Sequence, residues 1–454
     1  MSFRKDFMWG VATAAYQIEG AVEEDGRGPS VWDVFCREPN KIANGQTGDI
    51  ACDHYHRLDE DVQLMKQLGV NTYRFSVSWT RILPGGTGAV NLQGIAFYNR
   101  LIDRLLENGI QPCLTLFHWD YPYALEKQGG WLNSESPHWF AEYARTVFHA
   151  FGGRVKLFFT FNEPQCFIGA AYAHGKHAPG HIYGNRELVL MAHHVMKAHG
   201  LAVQAFRELV PDGRIGYAPT GSGVIPFTDS AADVEAARQR YFDIDMTNWT
   251  WKVSWWSDPV LLGRYPEETE AFAQLQEYLP SSWKEDLALI STPIDIYGQN
   301  LYNGALYKAA DKDGESYEWV PNPVETPKTG ANWPVTPKVF YWSPKFLYER
   351  YHKPVMITEN GMSCHDAVSL DGQVHDPNRI DFTHRYLREL KRAAADGVDI
   401  LGYMHWTLMD NFEWALGYTQ RFGLIYGAFE PQRRIPKDSF SWSRRVLQRN
   451  GEEL

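Results

Sequence analysis

The sequence predicts an α/β protein, a single (β/α)8 barrel of the TIM type with long βα loops over residues 1–454. Three observations predict it. Strand-like and helix-like patterns alternate along the chain until eight strands are counted, and that order implies parallel strands joined by helical crossovers. Two of those strands, far apart in sequence, each end in a glutamate, and a closed parallel barrel gathers strand ends at one rim. Finally, 44% of the residues are hydrophobic, and no linker, internal repeat or low-complexity run divides the chain into smaller units.

The first strand runs from Met8 to Tyr16, is rich in small residues, and ends at Gln17-Ile18-Glu19-Gly20. A helix over Asp59 to Leu68 places Val62, Leu64, Met65 and Leu68 at helical spacing before Gly69 stops it. The second strand, Thr72 to Val77, contains Arg74. Helix Ile95 to Asn108 stops at Gly109, strand Gln111 to Phe117 leads into His118-Trp119-Asp120, and helix Ser136 to Phe151 stops at Gly152-Gly153. The fourth strand, Leu157 to Phe161, closes with Asn162-Glu163-Pro164. Proline at 164 excludes the helical region for Glu163 and favours an extended conformation.

A long loop from Ala173 to Asn185 precedes a helix reaching about Leu209, and Arg214 to Ala218 is the fifth strand. Phe227 to Ser291 holds several short helices, and the sixth strand, Ile294 to Asn300, runs into Leu301-Tyr302-Asn303. Ala309 to Pro337, rich in Pro, Gly, Asp and Lys, reads as an insertion on a loop, with Trp333 at the entrance to the rim. After Pro354, the run Val355-Met356-Ile357-Thr358 suits a buried parallel strand that opens at Glu359-Asn360-Gly361. A helix over roughly Asn378 to Asp396 leads to the last strand, Ile400 to His405, which ends at Trp406.

Composition excludes several classes of function. A net charge of −11 with scattered Lys and Arg argues against a nucleic-acid surface or an anionic membrane patch. The start, Met1 to Lys5, has no apolar run, and no window approaches the length of a membrane span, so a cytoplasmic protein is expected. Cys36, Cys52, Cys113, Cys166 and Cys364 are odd in number and widely spaced, as reduced thiols would be. His174, His177 and His181, or His54 and His56, lack a zinc-type spacing, so no metal is expected. The run Pro84-Gly85-Gly86-Thr87-Gly88 joins no strand to a helix and reads as a turn, which leaves nucleotide cofactors without support. The 17 Trp, 24 Tyr and 24 Phe suit sugar rings, which have an apolar face and a polar rim.

A strand-end glutamate can cap a helix or pair with an arginine. Two in matching positions, with aromatic and amide neighbours, point instead to glycosidic cleavage, in which one carboxyl protonates the leaving oxygen and the other attacks or activates water.

With these residues in view the chain resembles glycoside hydrolase family 1, the β-glucosidase and β-galactosidase family. The likeness runs from Phe7-Met8-Trp9-Gly10 through Gln17-Ile18-Glu19-Gly20, Tyr73-Arg74-Phe75-Ser76, Thr160-Phe161-Asn162-Glu163-Pro164 and Ile357-Thr358-Glu359-Asn360-Gly361. It continues through Asp410-Asn411-Phe412-Glu413-Trp414 to Pro436-Lys437-Asp438-Ser439. The resemblance implies a retaining mechanism with Glu359 as nucleophile, Glu163 as acid/base and Arg74 keeping Glu359 ionised. It also implies that Gln17, His118, Asn162, Glu413 and Trp414 hold the sugar hydroxyls, that Trp406 lies under the ring, and that Tyr302 orients Glu359.

Two carboxyls ~5 Å apart at an effective dielectric of ~20 repel by ~3 kcal/mol, or ~2 pKa units, which would keep Glu163 protonated near neutral pH. No cofactor or metal is implied, and the sequence sets no oligomeric state. The expected substrates are terminal β-D-glucosyl residues of cellobiose, cello-oligosaccharides and aryl glucosides, with some activity on β-galactosides or β-fucosides. Two rivals are a 6-phospho-β-glycosidase, which should lack Glu413 and carry a cationic cradle, and a silent sugar binder, which should lack one catalytic glutamate. Thr407, and Gly427-Ala428-Phe429, depart from the family pattern at positions away from both glutamates.

Overall fold

Eight short strands, buried on both faces, carry the architecture: Met8–Ala12 (β1), Thr72–Ser76 (β2), Gln111–Phe117 (β3), Leu157–Asn162 (β4), Arg214–Ala218 (β5), Ile296–Asn300 (β6), Val355–Asn360 (β7) and Ile400–Trp406 (β8). In the computed structural model, which describes residues 2–311, 314 and 316–454, they close in chain order into one barrel. Every neighbouring pair is parallel. Only Gln111 and Arg214, at the entering ends, escape full burial. That double burial is why the strands read as nearly continuous apolar runs and not as an alternation. Inside, the Phe159 ring takes space left by glycines on the facing strands: a Cβ would come within 2.5 Å of it at Gly216 and 2.8 Å at Gly298.

The crossover helices His54–Leu68, Leu92–Glu107, Ser136–Phe151, Asn185–Leu209 and Pro377–Ala395 stand where helical spacing places them, with ends shifted by a few residues. Among the described residues, no helix is long and apolar enough to cross a membrane.

Several expectations need correction. The first strand ends at Ala12; the chain then bends, and Ala15–Ile18 forms one helical turn that carries Gln17 away from the strand. The bend is held by the Thr13 N–H on Arg74 O at 3.0 Å and the Ala15 N–H on Ser76 Oγ at 2.8 Å, both long-range bonds. The helix Val339–Tyr351 lies where no helix is expected, because Pro344 inside it masks the pattern. A π-helical segment, Gln165–Ala173, takes up most of the chain between the fourth strand and the long loop.

The insertion from Ala309 to Pro337 contributes strand Glu318–Val320 to a small sheet with Gly304–Lys308 and Gly223–Pro226; its residues 312, 313 and 315 lie outside the described residues. A hairpin of Ile425–Ala428 and Arg433–Pro436, followed by helix Asp438–Gln448, ends the chain's structure against the barrel.

Candidate active site

Both glutamate-bearing strands slip register just before their C-terminal ends. Between Phe159 and Asn162, β4 carries one residue more than β5 does between Gly216 and Ala218. Between Ile357 and Glu359, β7 likewise gains one residue on β6. Such bulges re-aim a side chain where the ladder ends.

Glu163 differs from the sequence expectation. Pro164 does keep it out of the right-handed helical region, but the backbone takes φ 47°, in the left-handed region, and is not extended. For a non-glycine residue that conformation costs about 1–3 kcal/mol and persists only where the surroundings hold it. Here the Glu163 N–H donates to Ala218 O at 2.9 Å, and the Glu163 carbonyl accepts from the Cys166 N–H at 2.9 Å.

A continuous set of hydrogen bonds links the two carboxyls. Arg74 Nη1 donates to Glu359 Oε1 at 2.7 Å and to Thr358 O at 3.0 Å, while its Nη2 donates to Asn162 Oδ1 at 2.7 Å. Asn300 Nδ2 donates to Asn162 Oδ1 at 2.9 Å and to Glu163 Oε1 at 2.7 Å. Tyr302 donates to Glu359 Oε2 at 2.9 Å, and the Cys166 thiol lies 3.0 Å from Glu163 Oε2. All four carboxyl oxygens therefore have a protein partner.

Burial is the largest influence on both groups. It pushes Glu163 up to about 7, with the charge of Glu359 adding to it and Cys166, Asn300 and Arg74 opposing. Carboxylate repulsion, expected to be the cause of the rise, is the smaller of the two influences. Burial also raises Glu359, and Arg74, Tyr302 and Asn300 pull it back. Arg74 thus opposes the rise without cancelling it.

The remaining expected site residues come together around these two. The Gln17 amide nitrogen donates to Phe412 O at 2.7 Å and Asn411 Oδ1 at 3.2 Å, which leaves Oε1 buried and unpartnered. Asn162 Nδ2 lies 3.0 Å from His118 Nε2; since an amide N–H donates, Nε2 accepts and the imidazole proton sits on Nδ1. Burial holds His118 neutral, well below its ordinary value. His118 stacks at 20° on both Trp406, 5.7 Å away, and Trp414, 6.0 Å away. Trp414 also packs on Trp119 and Trp32, each at 4.5 Å. Trp333 meets the edge of Tyr302 at 5.3 Å.

Glu413 is half-buried and, among the described residues, has no cation within ion-pair distance. Burial, with Glu359 and Glu163 adding their charges and Gln17 opposing, pushes it up to about 8.

Sequence reasoning missed three contributors. Asn300 bridges to Glu163 and Asn162, Cys166 touches the Glu163 carboxyl, and Asn411 fixes Gln17. Asn300 had a legible signal, a polar residue ending a buried strand. Cys166 had none, because the tight turn that brings it back to Glu163, closed by its N–H on the Glu163 carbonyl, leaves no mark in the sequence. Four of the five histidines weighed for a metal are engaged separately: His54 with Asp61 at 2.7 Å, His56 with Asp53 at 2.6 Å, His181 beside Glu126 at 3.4 Å, and His177 against the Trp119 ring. Thr407, one of the departures from the family pattern, donates to Ala12 O at 2.6 Å, behind the site.

A closed parallel barrel whose C-terminal rim joins two buried carboxyls through a guanidinium and two amides, under an aromatic wall, defines a barrel glycosidase of the paired-carboxylate kind. Residues 1–452 match the family model described as Glycosyl hydrolase family 1. Beta-glucosidase A of Thermotoga maritima is 44% identical over 454 residues, 99% of each chain, and Beta-glucosidase A of Acetivibrio thermocellus is 42% identical with the same coverage. The solved structure of the Thermotoga maritima β-glucosidase in complex with castanospermine superposes with a TM-score of 0.90 at 43% identity, covering 99% of both chains. The chain belongs to glycosyl hydrolase family 1.

Proposed function

We propose that the protein is a retaining β-glucosidase in which Glu359 is the nucleophile and Glu163 the acid/base. The observation that carries the assignment is the asymmetry of the two carboxyls: a guanidinium bonds Glu359, while only neutral groups bond Glu163. The group beside Arg74 is the one that holds a negative charge, and the group without a cation is the one that holds a proton. Attack by Glu359 on the anomeric carbon breaks the glycosidic bond as Glu163 protonates the leaving oxygen. Once Glu359 is an uncharged ester its repulsion on Glu163 disappears, and Glu163 takes the proton of the incoming water.

Gln17 Oε1, the Nδ1–H of His118, the remaining amide hydrogen of Asn162, Glu413 and Trp414 are the groups offered to the sugar hydroxyls, with Trp406 as the platform and Tyr302 holding Glu359. Both rivals lose support, since Glu413 and both glutamates are in place and, among the described residues, no cation pairs with Glu413. A single domain acting in the cytoplasm is the reading that the one closed barrel and five unpaired cysteines favour. Its substrates would be aryl β-glucosides and short cello-oligosaccharides.

A phosphate on O6 would lose the hydrogen bond that a free hydroxyl gives the Glu413 carboxyl and would bring negative charge toward the Glu359 carboxylate, whose guanidinium is already engaged. The expected preference for p-nitrophenyl glucoside over its 6-phosphate is at least ~10²-fold in kcat/KM, about 2.7 kcal/mol of transition-state binding. Steady-state kinetics on that pair, for the parent and Glu413→Ser, test it. A parent that prefers the phosphorylated substrate, or a ratio that Glu413→Ser leaves unchanged, overturns it.

A further inference from the structure

We propose that Cys166 is a positioning residue for the acid/base: its thiol, on Glu163 Oε2, holds the carboxyl in place while tolerating both of its protonation states. The inference rests on the assignment of Glu163 above and extends it to a residue with no role so far.

Cys166 sits in the first turn of Gln165–Ala173, is 9% exposed, and is tied to Glu163 twice. Its N–H donates to the Glu163 carbonyl at 2.9 Å, and its Sγ lies 3.0 Å from Oε2. On the other oxygen, the Asn300 amide can only donate, so Oε1 accepts in every state and the acid's proton must reside on Oε2. The neighbour of Oε2 therefore faces an O–H and a bare oxygen in alternation, once each per turnover.

A hydroxyl there would donate strongly and favour the carboxylate. An amide or a cation would favour it more. A thiol is a weak donor and a weak acceptor, so it keeps the carboxyl from turning yet holds neither form strongly. Burial raises the thiol well above its ordinary value, with the charges of Glu163, Glu359 and Glu413 adding to it, so it stays an S–H beside the carboxyl. The charged and titratable groups around Glu163 are Glu359 and Arg74 on the barrel strands, Tyr302 beyond the sixth strand, and Glu413 in the loop after the eighth.

The test is the pH profile of kcat/KM for Cys166→Ser and Cys166→Ala on two substrates, phenyl glucoside, which needs its leaving group protonated, and 2,4-dinitrophenyl glucoside, which does not. With phenyl glucoside, Ser should move the basic limb to lower pH and Ala to higher pH, each by ~0.5 unit, a factor of ~3 in rate on the limb. With the dinitrophenyl substrate both shifts should vanish. If Cys166→Ala folds poorly, Cys166→Val serves as the donor-free variant. Shifts of the same sign in both variants, an unmoved limb, or equal shifts on both substrates would show a packing residue only and overturn the inference. Glu163→Gln, run alongside, separates the two readings. If its loss does not depend on the leaving group, the acid/base assignment falls and this inference with it. If it does while the thiol variants keep the parent limb, the inference alone falls.

Discussion

Glu359 and Glu163 differ by what touches them. With Glu359 as the proposed nucleophile, hydrolysis should stop in Glu359→Gly while the fold persists, because loss of the side chain leaves Arg74 bonded to Thr358 O and Asn162. Azide should restore turnover of activated glucosides and give an α-glycosyl azide, detectable by NMR; normal hydrolysis by the purified variant would remove Glu359 from the mechanism. Glu163 is pushed up to about 7 mainly by burial, and as the proposed acid it must enter the first step protonated. Activity on poor leaving groups should thus be retained below pH 7 and fall as pH rises through it. Glu163→Gln should remove that limb and cost alkyl glucosides far more than dinitrophenyl glucoside; an equal loss across leaving groups would count against the acid role.

At the scale of elements, the loop bearing Glu413 and Trp414 is held by buried charges beneath it. Lys437 Nζ bonds Asp410 at 2.7 Å and Asp366 at 2.6 Å; Arg379 bonds Asp366 at 2.7 Å and also Asp376; Arg421 bonds Asp410 at 2.7 Å. Three cations balance three carboxylates, and the set ties the segment after β7 to the segment after β8. Removing Lys437 leaves two cations against three buried carboxylates, and an uncompensated buried charge costs about 3–5 kcal/mol. Lys437→Met should therefore lower stability in urea by about that much and raise KM for glucosides. Arg385→Ala breaks an exposed i,i+4 pair with Asp381 and should change stability by less than ~1 kcal/mol. Comparable losses in the two variants would mean that the buried set holds nothing in particular.

For the molecule as a whole, stability should peak near neutral pH, because buried groups push in opposite directions. Burial lowers His177 and His193 to about 4 and His199 and His405 to about 3, so the stability that these neutral rings contribute above their unfolded pKa of ~6.5 is lost as pH falls through the folded values. Burial raises Asp120 to about 8, with Arg27 opposing and Glu19 adding. A raised carboxyl acts in reverse: its contribution is full below the unfolded pKa of ~3.9 and is lost as pH rises toward 8. Asp120→Asn should flatten the fall of Tm between pH 5 and 8 and leave the acid side unchanged. Calorimetry at fixed ionic strength checks this, and an unchanged alkaline slope would contradict it.

The sequence by itself determined the eight-strand count, the strand ends that carry Glu163 and Glu359, and the family to which the chain belongs. These are local facts: a doubly buried strand must be apolar throughout, and a glutamate that ends such a run stands out against it. The tertiary structure alone decided the turn that lifts Gln17 off the first strand, the left-handed backbone of Glu163, the raised pKa of Glu413, and the place of Asn300 and Cys166. Each of these depends on groups brought together from distant parts of the chain. Ser76 and Arg74 bend the first loop, Ala218 anchors Glu163, and burial, with two other carboxyls adding to it, raises Glu413. Spacing along a sequence records which face a residue belongs to; a conformation or a pKa is set by what packs against that face, and that is known only once the barrel has closed.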